Sequence, residues 1–169
     1  MFPIPIVVQP FLQHSILKNK MLKMLELEKG KQLDTMGEQI TKTDWTIDSE
    51  REYVNTILPH IQSNVEPLFK RMNYLKFKFG STWFQQYEKE DFHSWHRHPD
   101  TDWGLVYYLE LPLDGPVTEF RNPLDSNETI LPKVKEGDFV LFPALLEHRS
   151  SENNSKARKT VIVTNFKTF

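Results

Sequence analysis

At about Tyr74 the apolar residues of this chain change their spacing from a helical period to strict alternation, and that change limits the architectures open to it. Before the switch, the stretch from about Leu12 to Lys29 carries Leu12, Ile16, Met21, Met24 and Leu25 at helical spacing, with Gly30 as the stop. A polar loop containing Gly37 and Trp45 follows. Asp48 and Ser49 then offer N-caps to a second helix, with Tyr53, Ile57, Ile61, Val65 and Phe69 on its apolar face. Pro59 and Pro67 fall inside that pattern and predict a kink or a break, because proline lacks the N–H donor and crowds the preceding turn. Ahead of both helices, Phe2–Val8 reads as a short apolar strand. After the switch, LKFKFGSTWFQQYEKEDF alternates in two runs, and GLVYYLEL, GDFVLFP and KTVIVTNFKTF are rich in β-branched and aromatic residues. Turn residues separate these runs at Leu113–Pro116, Asn122–Pro123 and Glu136–Asp138. Two helices ahead of many short strands predict an α+β fold, mainly β: a sandwich or jelly roll with the N-terminal helices packed on one outer face. A length of 169 residues suits one domain, residues 1–169, with helical support over about 1–73 and the strand core over about 74–169.

The chain has no cysteine, which removes disulfides and thiolate metal sites and leaves nitrogen and oxygen as the metal donors. A cytoplasmic location is expected: MFPIPIVVQPF lacks a basic n-region and is broken by prolines, a poor signal peptide. No apolar run approaches the roughly 20 residues of a membrane span, so no membrane partner is expected. The sequons at Asn127 and Asn153 then read as chance. A formal net charge of −2 gives no reason to expect a polyanionic partner such as DNA. Lys70, Arg71, Lys76 and Lys78 interleave with Tyr74, Phe77 and Phe79, yet alternation in a strand turns lysines out and aromatics in. Lys18, Lys20 and Lys23 are a solvated helix face.

The segment FHSWHRHPDTDW, residues 92–103, concentrates imidazole and carboxylate. Residues i and i+2 of a strand point the same way, so His96 and His98 project together, as do His98 and Asp100 if the strand continues past Pro99. Such a pair leaving a strand end is a compact platform for a divalent metal. His148, which follows the strand GDFVLFP, is the natural third ligand. Three protein ligands on one side of a metal leave open positions on the other, and neutral imidazoles suit iron, zinc, copper or nickel. His14 and His60 fall on helices, and His93 points opposite to the His96 and His98 pair, so these three are read as structural. Arg158, ten residues beyond His148, could hold a carboxylate bidentately, with Thr160 on the same face as a hydroxyl donor.

Taken in order, Tyr87, His96-Arg97-His98, Val106-Tyr107-Tyr108-Leu109, the strand Gly137 to Pro143, His148 and Arg158 resemble the 2-oxoglutarate- and iron(II)-dependent oxygenases. The resemblance covers about Tyr74 to Phe169. Trp83-Phe84, the His96–Pro99 loop and Asn165-Phe166 are most similar to the small bacterial and phage oxygenases of this kind. It implies a double-stranded β-helix, a distorted jelly roll, with Fe(II) bound inside its mouth and 2-oxoglutarate as co-substrate for hydroxylation. By the same resemblance Arg158 fixes the distal carboxylate of 2-oxoglutarate, helped by Thr160 and Tyr108, with Tyr87 nearby. One departure stands out: the second ligand of this family is usually a carboxylate, and His98 occupies its position. The triad is then three histidines, or the pair is His98 with Asp100 as second ligand, or Asp100 or Asp102 swings in beside His96. Phe92, Trp95 and Trp103 would keep the mouth dry, and the loop around Trp45 would shape the entrance. Glu119 and Arg121 are either substrate contacts or surface charges. The substrate implied is an unidentified small molecule or a protein side chain such as proline. A cupin-like metal-binding domain without oxidative chemistry is the alternative reading.

Overall fold

The computed structural model describes residues 5–47 and 49–169. Their elements run β1 (Val7–Pro10), α1 (His14–Leu27), β2 (Lys31–Asp34), β3 (Glu38–Thr43), α2 (Glu52–Arg71), β4 (Phe77–Tyr87), β5 (Phe92–His96) and β6 (Trp103–Glu110). There follow β7 (Thr118–Asn122), β8 (Asp125–Ile130), β9 (Asp138–Pro143), β10 (His148–Ser150) and β11 (Lys159–Thr168). The strands pair in the order β1-β9-β6-β11-β4-β3-β5-β10-β7-β8, with β2 on β3, and every pairing is antiparallel. β3 bonds to both β4 and β5, so it links a larger half (β1, β9, β6, β11, β4) to a smaller one (β5, β10, β7, β8). The curled sheet folds these halves face to face, and Phe120 of one meets Phe142 of the other with ring centroids 4.9 Å apart. This is the expected jelly roll, with both helices on one outer face.

Alternation sorts the larger half into two layers. Leu105, Tyr107, Leu109, Phe139, Leu141 and Ile162 point outward to meet Leu17, Met21, Leu25 and the apolar face of α2. Val106, Tyr108, Val140, Phe142, Val161 and Val163 point inward, toward Phe120 and Leu146 of the smaller half. The two periods in the sequence are thus two packed faces of one sheet.

Three expectations are corrected. α2 is one continuous helix through Pro59 and Pro67. Two interior prolines cost about 6 kcal/mol, but Tyr53, Ile57, Ile61, Val65 and Phe69 are all buried, and five such side chains contribute roughly 10 kcal/mol. The helix also starts later than expected: its N-cap is Arg51, Ser49 lies in a bend, and Asp48 falls outside the described residues. Arg51 donates instead to Asp44 Oδ2 at 2.8 Å, where Asp44 also accepts from the Tyr53 hydroxyl and the Phe84 amide. Finally, the described residues among the first 73 supply three strands as well as two helices. The β2–β3 hairpin looks like a loop in the sequence because Ile40 is the one apolar side chain it buries fully, its other buried residue being Thr43. Of the proposed first strand, Phe2–Ile4 lie outside the described residues, and β1 starts at Val7.

Candidate metal centre

His96 is the last residue of β5 and His148 the first of β10, and the two are direct cross-strand partners. His98 lies two residues beyond the strand end, held there by its backbone N–H, which donates to Ala144 O at 2.9 Å. One ring nitrogen from each of the three lies within 4.8 Å of the other two. The ring centroids are 4.2 Å apart for His96 and His148, 5.0 Å for His98 and His148, and 5.4 Å for His96 and His98.

The remaining ring nitrogens fix the tautomers. His96 Nδ1 donates to Ser94 O, His148 Nδ1 to Leu146 O, and His98 Nδ1 to Asn165 Oδ1, each at 2.8 Å. Carbonyl oxygens only accept, so all three Nδ1 atoms carry the proton and each Nε2 keeps a free lone pair. Burial keeps the rings neutral: His96 is pushed down to about 4, His98 is lowered, and His148 is held well below the usual histidine range. Neutral imidazoles with oriented, unshared Nε2 atoms are what a divalent metal requires. Asn165 reaches His98 from the inward face of β11. Gly80 stands at the bulge opposite, where a Cβ would come within 3.3 Å of the Asn165 backbone. Asn165→Ala is expected to weaken metal affinity by roughly 10- to 100-fold, the usual cost of losing an orienting partner, as measured by iron(II) titration of the folded protein.

Asp100 is exposed in a turn after the strand has ended, so it does not project with His98. Asp102 is used elsewhere, its Oδ2 accepting from the Thr168 amide at 2.8 Å. His93 was expected to face away from the other histidines, and it does not. Between the pairs His96–His148 and His93–Ser150, β5 carries one extra residue. That bulge puts His93 on the inward side, stacked on His96 with centroids 3.8 Å apart. Its Nε2 lies 3.1 Å from Glu38 Oε1 and its Nδ1 lies 3.4 Å from Gln85 Nε2, while Tyr87 donates to Gln85 Oε1 at 2.9 Å. Burial pushes His93 down to about 3, so a neutral ring beside Glu38 accepts from Gln85, which itself accepts from the Tyr87 hydroxyl.

Two hollows meet at the histidines. The inner one, about 30 Å³, is walled by Tyr87, Val106, Thr118, Ser150, Lys159 and Val161. The outer one, about 520 Å³, opens between Trp45, Phe79, Trp83, Pro99, Asn165 and Lys167. Lys159 is the residue that sequence reasoning missed. It is 2% exposed, its Nζ donates to Ser150 Oγ at 2.6 Å and sits 4.6 Å from the Tyr87 ring centre. Among the described residues no carboxylate lies within ion-pair distance of it, and burial pushes its amine down to about 7. The signal was phase: Lys159 alternates with Val161, Val163 and Asn165, the inward face of β11.

Arg158 and Thr160 share the opposite phase and are not brought to the histidines. Arg158 Nε and Nη2 donate to Glu110 Oε2 and Oε1 at 2.9 and 3.3 Å, and Thr160 donates to the same carboxylate at 2.5 Å. Arg158→Ala is therefore expected to cost at most ~1 kcal/mol of stability and to leave binding at the histidine site unchanged, read by thermal melting and ligand titration. Tyr87 lines the inner hollow, whereas the Tyr108 hydroxyl is fully engaged, donating to Thr118 Oγ1 at 2.7 Å and accepting from its amide at 2.8 Å. Trp103 packs in the helix-side core, and Trp95 lies on the outer face of the smaller half between the guanidinium groups of Arg121 and Arg149. Buried Glu119 and half-buried Arg121 lie there too, paired with Arg149 and Glu147 and away from the histidines. Trp83 and Trp45 occupy the mouth instead, and Trp83 sits against His98 at 5.6 Å.

No family model and no curated protein matches the sequence. Solved structures do match the fold. A Pseudomonas putida prolyl-4-hydroxylase superposes with a TM-score of 0.72 at 13% identity, covering 97% of this chain and 92% of that one. An oxidoreductase of the 2OG-Fe(II) oxygenase family from Burkholderia pseudomallei gives 0.78 at 11% identity over 96% and 85%. The viral collagen prolyl hydroxylase of Paramecium Bursaria Chlorella virus-1 gives 0.60 at 15% identity over 95% and 94%. At such identities the likeness is one of architecture: this chain has the double-stranded β-helix fold of the 2-oxoglutarate- and iron(II)-dependent oxygenases.

Proposed function

We propose that the chain is an Fe(II)- and 2-oxoglutarate-dependent oxygenase that hydroxylates a small molecule or a protein side chain such as proline. The observation that carries this reading is the pairing of three oriented, neutral imidazoles with a buried, uncountered lysine in one inward-facing site. His96, His98 and His148 would hold the metal, with Asp100 left in solvent. Lys159, in place of Arg158, would receive the distal carboxylate of the keto acid. The donor set fits iron(II): three nitrogens on one side, and a dianionic keto acid to offset the two positive charges that neutral ligands leave. Iron(II) with 2-oxoglutarate supplies oxygen-dependent oxidising power that no protein side chain has.

The chain's own part is to bind, orient and exclude water. Ser94, Leu146 and Asn165 fix the imidazole planes. Val106, Val161 and Val163 keep the inner hollow apolar. Ser150 and the Tyr87 ring steady the lysine. The inner hollow alone holds a few waters at most, so a keto acid would need the continuous lining it shares with the outer one through Trp83, Gln85 and His93. Prolyl hydroxylases among the similar structures favour a peptidyl substrate.

Anaerobic titration with iron(II) and then 2-oxoglutarate tests the proposal. The expected result is a visible metal-to-ligand charge-transfer band that survives Arg158→Ala. Metal binding without the band would favour the cupin-like, non-oxidative alternative. Failure to bind metal at all would overturn both.

A further inference from the structure

The long strand β4 is paired unevenly. Along one side it bonds to β11 over Phe77–Tyr87, but along the other β3 reaches it only at Gln85 and Gln86. Lys76 and Phe169 exchange both backbone hydrogen bonds, so the antiparallel rhythm turns the N–H and C=O groups of Phe77 and Phe79 away from β11. No described residue pairs with them there. This open edge runs between the outer hollow at the histidines and a second groove of about 380 Å³ against Gln62, Glu66 and Phe69 of α2. Lys78 and Phe79 line both, making one continuous trough.

On β4 and β11 its charge is basic. Lys76, Lys78 and Lys167 line it, and none has a carboxylate in ion-pair range among the described residues; of the carboxylates in the trough, Glu66 is taken by Lys70 at 2.7 Å, Glu38 lies 3.1 Å from His93, and Asp100 is exposed on the turn after His98. Lys78 and Lys167 are also direct cross-strand partners. Like charges placed opposite each other destabilise a sheet, so this pair favours an anion between or above them. Exposed Leu75 and Phe169 add apolar footing.

We infer that the substrate of this site is an acidic polypeptide segment that binds extended, as an added strand on the open edge of β4 beside the histidines. Unpaired backbone groups with flanking hollows for alternate side chains are the elements of strand addition. The edge lysines repel a second copy of this edge and attract an aspartate- and glutamate-rich strand. Single-stranded nucleic acid fits less well: the Phe77 and Phe79 rings pack on Phe166 at 5.9 and 5.5 Å and offer no free stacking platform. The inference rests on the oxygenase reading for what happens to the segment once bound.

The test uses the protein loaded anaerobically with iron(II) and 2-oxoglutarate, and three fluorescent probes. These are a degenerate decapeptide pool with aspartate or glutamate at half its positions, a matching lysine and arginine pool, and oligo-dT of ten nucleotides. The acidic pool is expected to raise anisotropy at least tenfold more tightly than the basic pool. It should also slow hydrogen exchange at the Phe77 and Phe79 amides. Lys78→Glu with Lys167→Glu, both exposed positions, should reverse the preference between the pools without changing the charge-transfer band. Equal binding of both pools, tighter binding of oligo-dT, or unchanged exchange at those amides would each overturn the inference. If the band is present in those cases, the oxygenase reading stands and only the strand-addition inference falls. Absence of the band marks failure of the oxygenase reading itself, with the anisotropy and exchange results still deciding the docking surface.

Discussion

Lys159→Met is expected to abolish 2-oxoglutarate binding and at the same time to raise the melting temperature. The amine is buried with only Ser150 and the Tyr87 ring for company, and its folded pKa is about 7 against an ordinary lysine value of 10.5. The unfolded chain therefore takes up a proton near 10.5 that the folded chain refuses until about 7. This group thus lowers stability progressively as pH falls through that window, and the penalty is fully present below about 7. A shift of this size corresponds to several kcal/mol. Allowing for the lost Ser150 hydrogen bond and ring contact, methionine should gain at least ~2 kcal/mol, or ~5 °C in a domain of this size. Thermal melts of the apo protein between pH 7 and 10 check the sign: the wild type should lose stability toward pH 7 more steeply than the variant. A variant that melts lower than wild type, or still gives the charge-transfer band, would contradict this account of Lys159.

His148→Ala is expected to remove iron(II) binding, a larger loss than the 10- to 100-fold cost of an orienting residue, and activity with it. His148 is the most buried of the three clustered histidines, 3% exposed, and packs 4.6 Å from the Phe142 ring. Its loss also leaves Leu146 O without its 2.8 Å donor, so the fold should weaken by ~1–3 kcal/mol. Circular dichroism at low temperature separates that weakening from the loss of metal. The remaining histidines give a second readout. In the unfolded chain they protonate near 6.5, but folded His96 waits until about 4 and His93 until about 3. Apo stability should therefore fall as pH drops through that interval in wild type and variant alike, and saturating iron(II) should oppose the fall in the wild type but not in His148→Ala.

Much of the architecture is legible in the sequence, because alternation and helical period report which face is buried. His96, His98 and His148 were legible because an H-x-H step at a strand end needs only local geometry. What failed was phase across irregularities. His93 sits inward because β5 carries one extra residue, and nothing in HSW announces a bulge. Arg158 attracted attention as the basic residue at the expected distance from His148, yet its neighbour shares the inward phase of Val161 and Val163. Counting back from those valines would have identified Lys159. Asn165 was visible only as part of a family pattern, since its role depends on β11 lying beside the loop that bears His98, a tertiary fact. The helix through Pro59 and Pro67 shows the other limit: local propensity was overruled by five buried side chains.

The strand β11, late in the chain, lies in the middle of the sheet between β6 and β4. It carries Lys159 and Asn165 on its inward face. During synthesis, a ribosome must release residues 159–168 before the centre of the sheet can close, and until then both neighbours wait with unpaired edges. The three histidines emerge earlier but lack the amide that aligns His98 and the ammonium that would seat a keto acid. On the proposed function, iron captured by the growing chain would meet an unfinished cradle, and the proposed site would be complete only once β11 had joined β6 and β4.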